Sequence, residues 1–249
     1  MLRGVSLQLG SKPIFNHHPN IPHNLRALII GSSGSGKSTL LLQMIITPEF
    51  IDFNSLIIVT QTKDQPIYQF IRCGFEAGLA KEVLTAILLK QSEFAHNSIP
   101  DICRRVAASL SNNNAPISIK LVDHLDAIPH PEDLPNDKRH LVIFDDIVTL
   151  RNQSAVESYF VFGRHNNVNV IYLSQSFFDL PRIIRLNSNF LILFKLSQRN
   201  LSDVYASSVS NFMDNKTKFN QITLHAWSKK YGYIVIDKES NKILTDIFE

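Results

Sequence analysis

Cysteine is nearly absent from this chain. Its 249 residues hold two, Cys73 and Cys103, thirty residues apart, with no CxxC pair and no Cys/His ligand spacing. That argues against a structural zinc site and against a disulfide framework, and two free thiols suit a reducing compartment. Long apolar runs are missing too. No window of about eighteen apolar residues occurs, so no membrane span is expected. Met1 to Gly10 lacks the apolar centre of a secretory signal, and the protein is expected to stay where it is made. Charge of either sign is barely in excess, at a formal +3, which permits a nucleic-acid partner without requiring one. The basic doublets Arg104-Arg105, Lys138-Arg139 and Lys229-Lys230 read first as solvated surface. There is no internal repeat, and the one low-complexity stretch, Asn112-Asn113-Asn114, reads as a loop.

What is present is an ordinary globular composition, 44% hydrophobic and 19% charged, long enough for one large α/β unit with its own core. Residues 1–24 read as an irregular arm broken by Pro13, Pro19 and Pro22, with His17, His18 and His23 at surface or turn positions. Residues 25–249 read as a single domain. Five apolar runs follow: Ala27–Ile30, Leu56–Val59, Leu141–Phe144, Val170–Leu173 and Phe190–Phe194, with Ile117–Val122 as a further strand. Continuous rather than alternating apolar strands belong in a sheet covered on both faces. Helical patterns at Ser38–Ile46, Pro66–Gly78, Ile102–Leu110, Ser154–His165 and Leu201–Phe212 fall between them. The alternation predicts a mainly parallel α/β sheet. In residues 220–249, Ile222–Trp227 and Tyr233–Ile236 flank Ser228–Gly232, which predicts a β-hairpin added to the sheet edge.

The strongest motif is Gly31-Ser32-Ser33-Gly34-Ser35-Gly36-Lys37-Ser38, followed by Thr39. It satisfies G-x-x-x-x-G-K-[ST] with an apolar strand before it and an amphipathic helix after it. Glycines let the backbone close around phosphate oxygens, and the loop amides with the helix N-terminus present positive charge to the anion. Lys37 supplies a point charge to the β- and γ-phosphates, and Ser38 a hydroxyl to Mg²⁺. The second motif, His140-Leu141-Val142-Ile143-Phe144-Asp145-Asp146, runs an apolar strand into two carboxylates. Asp145 is expected to hold Mg²⁺, and Asp146 to polarise the attacking water as general base. The gap of 108 residues from Lys37 to Asp145 has room for further strand–helix units. In motor-type layouts a strand is inserted between those bearing the two motifs and ends in a polar sensor. Here Val170–Leu173 leads into Ser174-Gln175-Ser176, and the neutral amide of Gln175 can donate to the γ-phosphate and accept from the water. The bland alternative is a turn glutamine.

The run from Phe162 through Gly163-Arg164-His165 to Ser174-Gln175-Ser176-Phe177-Phe178-Asp179-Leu180-Pro181, continuing through Arg182, Arg185 and Asn187, resembles the genome-packaging ATPases of poxviruses, virophages and polinton-like viruses, within the FtsK/HerA branch of DNA-pumping motors. With the two motifs it spans about two-thirds of the chain. The resemblance implies a P-loop NTPase of the RecA/ASCE-like type with helices on both sheet faces. It implies an ATP- and Mg²⁺-dependent translocase that packages double-stranded DNA through a pentameric or hexameric ring docked at a viral capsid vertex. The expected setting is host cytoplasm or viral factory, with virion association as a further option and no membrane. By it, Gly31 to Thr39 bind nucleotide, Asp145 and Asp146 handle metal and water, and Gln175 is the sensor. It also implies an arginine acting on the neighbouring subunit's phosphates: Arg164 first, because it follows a helix expected near the strand tips, then Arg185 or Arg182. One departure stands out. Cellular pumps carry glutamate after the metal-binding aspartate, and this chain carries Asp146, as the viral branch does. DNA-contacting candidates are Lys229 and Lys230 at the expected hairpin tip, or Arg104 and Arg105.

Two other readings share the phosphate loop. A nucleoside or nucleotide kinase would add an arginine-rich lid, where residues 176–186 offer only Arg182 and Arg185. A non-hydrolysing nucleotide-binding scaffold would not need Lys37, Ser38, Asp145, Asp146 and Gln175 together. The LSGGQ signature of transporter ATPases is absent, and Asn215-Lys216-Thr217-Lys218 lacks the aspartate of a GTPase base reader.

Overall fold

The computed structural model describes residues 15–90, 98–110, 117–150 and 153–248. The first fourteen residues of the expected arm, and Asn112–Asn114, lie outside the described residues. The elements run β1 (Arg26–Ile30), α1 (Lys37–Ile46), β2 (Ser55–Thr60), α2 (Pro66–Glu76), α3 (Lys81–Leu89), α4 (Ile99–Ser109), β3 (Ser118–Val122), β4 (His140–Asp145), α5 (Ser154–Phe162), β5 (Val168–Ser174), α6 (Arg182–Asn187), β6 (Phe190–Phe194), α7 (Gln198–Val204), α8 (Lys216–Trp227), β7 (Tyr233–Asp237) and β8 (Lys242–Leu244). The strands form an eight-stranded sheet in the order β3-β2-β4-β5-β1-β6-β7-β8. The first six are parallel, and β7 and β8 are antiparallel.

The apolar runs make this sheet because both of its faces are covered. Every residue of β2, β4, β5 and β6 is buried. Successive side chains of each strand enter opposite layers. Ile29, Ile58, Ile143 and Ile171 pack with α1 to α4, through residues such as Leu41, Phe70 and Leu84. Leu28, Phe144, Val170 and Tyr172 pack with α5 to α8, through residues such as Phe160, Ile184 and Phe219. Fully burying each such side chain is worth about 1.5–3 kcal/mol. The edge strand β3 is only partly buried and carries Lys120, a charge that discourages strand addition. The short helices α3 and α6 were not anticipated from the sequence.

One expectation is corrected. Ile222–Trp227 is not a strand but the second half of α8. Phe219, Thr223, Ala226 and Trp227 are its buried positions, a spacing of three and four that fits helical rather than strand periodicity. Asn215 caps it by accepting the Lys218 amide at 2.9 Å, and the Trp227 indole donates to the Leu193 carbonyl at 3.0 Å. The C-terminal hairpin exists, but its strands are β7 and β8, with Asp237 opposite Lys242. Lys229 and Lys230 therefore occupy the turn between α8 and β7, not a hairpin tip.

The described part of the arm has no helix or strand, yet it is not a free surface segment. Phe15 and Ile21 are buried. His17 is held between two distant segments: its Nδ1 accepts the Asp52 amide at 2.9 Å, and its Nε2 lies 3.2 Å from the Asn169 amide. Burial lowers the His17 pKa from 6.5 to about 4, against the opposing pull of Asp52. As the folded-state value is depressed, the unfolded chain takes up the proton first on acidification. The stabilisation is full above pH 6.5 and is lost as pH falls towards 4. His140 is lowered in the same direction by burial, and Asp145, raised by burial, acts in the opposite sense in the acidic range. The expected result is a loss of about 2 kcal/mol through His17 between pH 6.5 and 4, after allowance for its partial exposure. Chemical denaturation at stepped pH should show it, and His17→Gln should flatten that part of the profile; an unchanged slope would remove His17 from the account.

Candidate functional site

The site is set by which strand ends are neighbours. In the parallel registers, Ile30 pairs with Ser174 and Leu173 pairs with Asp145. The carboxyl ends of β1, β5 and β4 are thus adjacent, with β5 inserted between the strands that lead into the glycine loop and the paired aspartates. Parallel α/β sheets bind ligands at this edge. The Gly31 amide donates to the Ser174 carbonyl at 3.1 Å, which ties the loop to the tip of β5. Gly36 ends the loop at φ 108°, a left-handed conformation that glycine adopts freely and that lets the chain turn into α1. Ser35 Oγ is buried and has no hydrogen-bond partner among the described residues.

An open cavity of about 570 Å³ lies over this edge. Of the expected residues it is lined by Ser33, Gly34, Gly36, Lys37, Ser38, Thr39, Asp145, Asp146 and Gln175. Lys37 Nζ donates to the carbonyls of Gly31 at 2.6 Å and Ser32 at 3.0 Å. Burial lowers the Lys37 pKa, and Asp145 and Asp146 pull it back up. The two aspartates differ sharply. Asp145 is buried and accepts a short hydrogen bond from the Tyr68 hydroxyl of α2. Burial raises its pKa, Tyr68 and Lys37 counter the rise, and Asp146 adds to it. Asp146 is exposed, with φ 50°. Its amide donates to the Leu173 carbonyl at 3.2 Å, and its Oδ2 accepts from Gln175 Nε2 at 3.3 Å. The Ser38 hydroxyl and the Asp145 carboxylate offer hard oxygen ligands in one cavity, the donor type Mg²⁺ takes.

Arg164 does not sit where the sequence suggested. It lines a separate small cavity with Arg26, Asn187, Lys238 and Glu239, at the amino ends of the strands. The reason is general: a crossover helix runs antiparallel to the strands, so α5 begins near the carboxyl edge and delivers its far end to the start of β5. Arg182, at the first turn of α6, is exposed. The Arg185 guanidinium lies over the rings of Phe177 and Phe178 at 5.4 and 5.2 Å.

Sequence reasoning missed Tyr68, Thr62, Gln65 and the aromatic side of the cavity, formed by Phe194, Tyr231 and Tyr233. Tyr68 reads as one more apolar position of an amphipathic helix, and only the tertiary fold brings it to Asp145. No local pattern marks the others.

Two protein-family descriptions match the chain: the P-loop containing region of AAA domain over residues 6–56, and Poxvirus A32 protein over residues 82–243. Among solved structures, the chain resembles the genome packaging NTPase B204 from Sulfolobus turreted icosahedral virus 2 in complex with AMPPCP. The identity is 13%, over 91% of this chain and 97% of that chain, with a TM-score of 0.51. It also resembles B204, the DNA-packaging ATPase from Sulfolobus turreted icosahedral virus, at 15% identity over 89% and 97% of the two chains, again with a TM-score of 0.51. At such identities the likeness is one of fold. No curated protein matches by sequence. No helix among the described residues is long and apolar enough to cross a membrane.

Proposed function

The chain belongs to the poxvirus A32 protein family and is a P-loop ATPase, and from that premise we propose that it is the motor that drives double-stranded DNA into a viral capsid. The observation that carries the reading is the meeting of Lys37, Asp145, Asp146 and Gln175 around one cavity at the ends of three neighbouring strands. A non-hydrolysing scaffold has no use for that set, and a small-molecule kinase needs an acceptor site beside it.

In this reading Gly31 to Thr39 wrap the triphosphate, and Lys37 neutralises its β and γ oxygens. Ser38 and Asp145 would hold Mg²⁺, which when bound would offset the charge of the triphosphate. Tyr68 fixes the Asp145 carboxylate. Asp146 takes a proton from the attacking water, and Gln175, bonded to Asp146, aligns that water against the γ-phosphate. Arg164, Arg182 and Arg185 are the candidates to act across a ring interface. Arg164 faces away from its own nucleotide, so it serves only if the neighbour's cavity packs against the amino edge of the sheet. Arg185 would first have to leave the Phe177 and Phe178 rings. The expected setting is the cytoplasm of an infected cell, at the capsid under assembly.

The test is phosphate release with and without duplex DNA. Mg²⁺-dependent hydrolysis should rise several-fold with duplex, and the stimulation should weaken steeply with salt, because backbone binding by cations releases counterions. Electron microscopy with a non-hydrolysable ATP analogue should show closed rings around duplex. Transfer of phosphate to a nucleoside with no response to DNA would favour a kinase. Tight nucleotide binding without turnover would favour a scaffold.

A further inference from the structure

We propose that the turn between α8 and β7 supplies the nucleobase subsite of the ATP cavity, with the Tyr231 ring as the face on which the base stacks. The inference deepens the ATPase reading and rests on it.

The order of the strands sets the direction in which the nucleotide lies. The glycine loop follows β1, in the middle of the cavity edge. On one side, the tips of β5 and β4 carry Gln175, Asp145 and Asp146, so the reacting γ-phosphate lies that way. The rest of the nucleotide must then leave towards β6 and β7. There the cavity wall changes character, from carboxylate and amide to Phe194, Tyr231 and Tyr233. Phe194 and Tyr233 form a fixed pair, with centroids 5.6 Å apart and planes tilted 55°. The Tyr233 hydroxyl is engaged at 3.3 Å by Asp246. Tyr231 is different: it is 58% exposed, and a Cβ added at Gly36 would stand 3.4 Å from its ring. A large, more than half-exposed aromatic side chain therefore lies beside the phosphate loop, with the Lys230 ammonium over its ring at 5.1 Å as the group a base would displace. Gln43, exposed on α1 and lining the same cavity, has an amide that can donate to and accept from a base edge.

The backbone shows that this placement is enforced. Tyr231 has φ 61°, a left-handed conformation that is disfavoured for an aromatic residue. It is held there by the Gly232 amide, which donates to the Lys229 carbonyl at 3.0 Å. At Gly232 a Cβ would lie 1.9 Å from the Ala226 carbonyl oxygen, so the turn closes this tightly only with glycine. Strained conformations persist where the surrounding structure fixes them, and they cluster at ligand clamps. Lys230 Nζ stands 5.1 Å from the Tyr231 ring, which puts one of the two candidate DNA lysines at the rim of the nucleotide cavity.

The experiment compares ATP with tripolyphosphate, which has the phosphates but no base. Calorimetry gives the affinities, and steady-state hydrolysis gives KM and kcat. Tyr231→Ala should weaken ATP about tenfold, the low end of what stacking on an aromatic ring contributes. The loss should appear in KM rather than kcat, with tripolyphosphate binding unchanged. Tyr231→Phe should restore ATP affinity. Tyr231→Gly removes the ring and also relieves the left-handed strain, so it should match the alanine variant in ATP binding while melting no lower than wild type. ATP affinity within twofold of wild type in a folded Tyr231→Ala would overturn the subsite. Equal losses for ATP and tripolyphosphate would overturn it too, because the turn would then be shaping the phosphate loop. A wild-type protein that binds ATP without hydrolysing it would count against the motor reading alone, since the binding comparison still decides the subsite.

Discussion

Lys37→Ala is expected to lower ATP turnover by at least about 10³-fold, the scale on which enzymes lose rate when a preorganised charge aimed at the reacting group is removed. The Lys37 ammonium is anchored by two loop carbonyls and faces the cavity that both aspartates line. Without it, the loop amides and a bound Mg²⁺ would be left alone to offset the charge of a triphosphate facing two carboxylates. At an effective dielectric of about 20, one pair of like charges at 4 Å costs roughly 4 kcal/mol, enough to weaken binding as well as slow the chemistry. Lys37→Arg should not rescue, because a planar guanidinium cannot occupy the space of a compact ammonium between those carbonyls. Since Lys37 is only half-buried, both variants should keep the wild-type melting temperature, so that a phosphate-release assay reports chemistry rather than unfolding. Turnover within tenfold of wild type would show that some other cation carries the phosphate charge.

The second large effect is expected at Asp146. Asp146→Asn should still bind ATP with near wild-type affinity but turn over about 10² to 10⁴ times more slowly, the usual contribution of a general base. Asparagine is isosteric and tolerates the left-handed backbone that Asp146 adopts, so the loop should hold its shape. It can also still accept from Gln175. What is lost is the proton acceptor alone. The contrast with Asp145 sharpens the assignment. Asp145 is buried beneath the Tyr68 hydroxyl and is suited to hold a cation, whereas Asp146 is open to water and is suited to receive a proton. Asp145→Asn should therefore change the Mg²⁺ concentration needed for activity, and Asp146→Asn should not. Wild-type turnover by Asp146→Asn would place the base elsewhere.

Much of the frame was legible because burial on both faces leaves a plain mark. Leu141–Phe144 and Val170–Leu173 have no alternation, and they became central strands of a parallel sheet. The glycine loop and the paired aspartates were readable from residue type and spacing, and the inserted strand β5 lies between them as the layout required. The failures have physical causes. Ile222–Trp227 alternates apolar and polar residues over a short window, but Phe219 and the Asn215 cap lie just upstream and set a helical repeat that outvotes the alternation. Arg164 follows a helix in sequence, but a crossover helix returns its far end to the amino edge of the sheet, so proximity in sequence does not bring it to the strand tips. Tyr68 and Tyr231 could not be singled out, because an aromatic residue in a helix or a turn has no local signature for the partner the fold will give it.

The hydrogen bond from Tyr68 to Asp145 has one more consequence. A buried hydroxyl has no solvent to fall back on, and leaving it unsatisfied would cost about 1–3 kcal/mol. The inner carboxylate is thereby locked in one rotamer against α2, and it cannot follow a departing phosphate. Rearrangement on hydrolysis is therefore expected first in the outer half of the site, where the exposed side chains of Asp146 and Gln175 meet in one hydrogen bond of 3.3 Å.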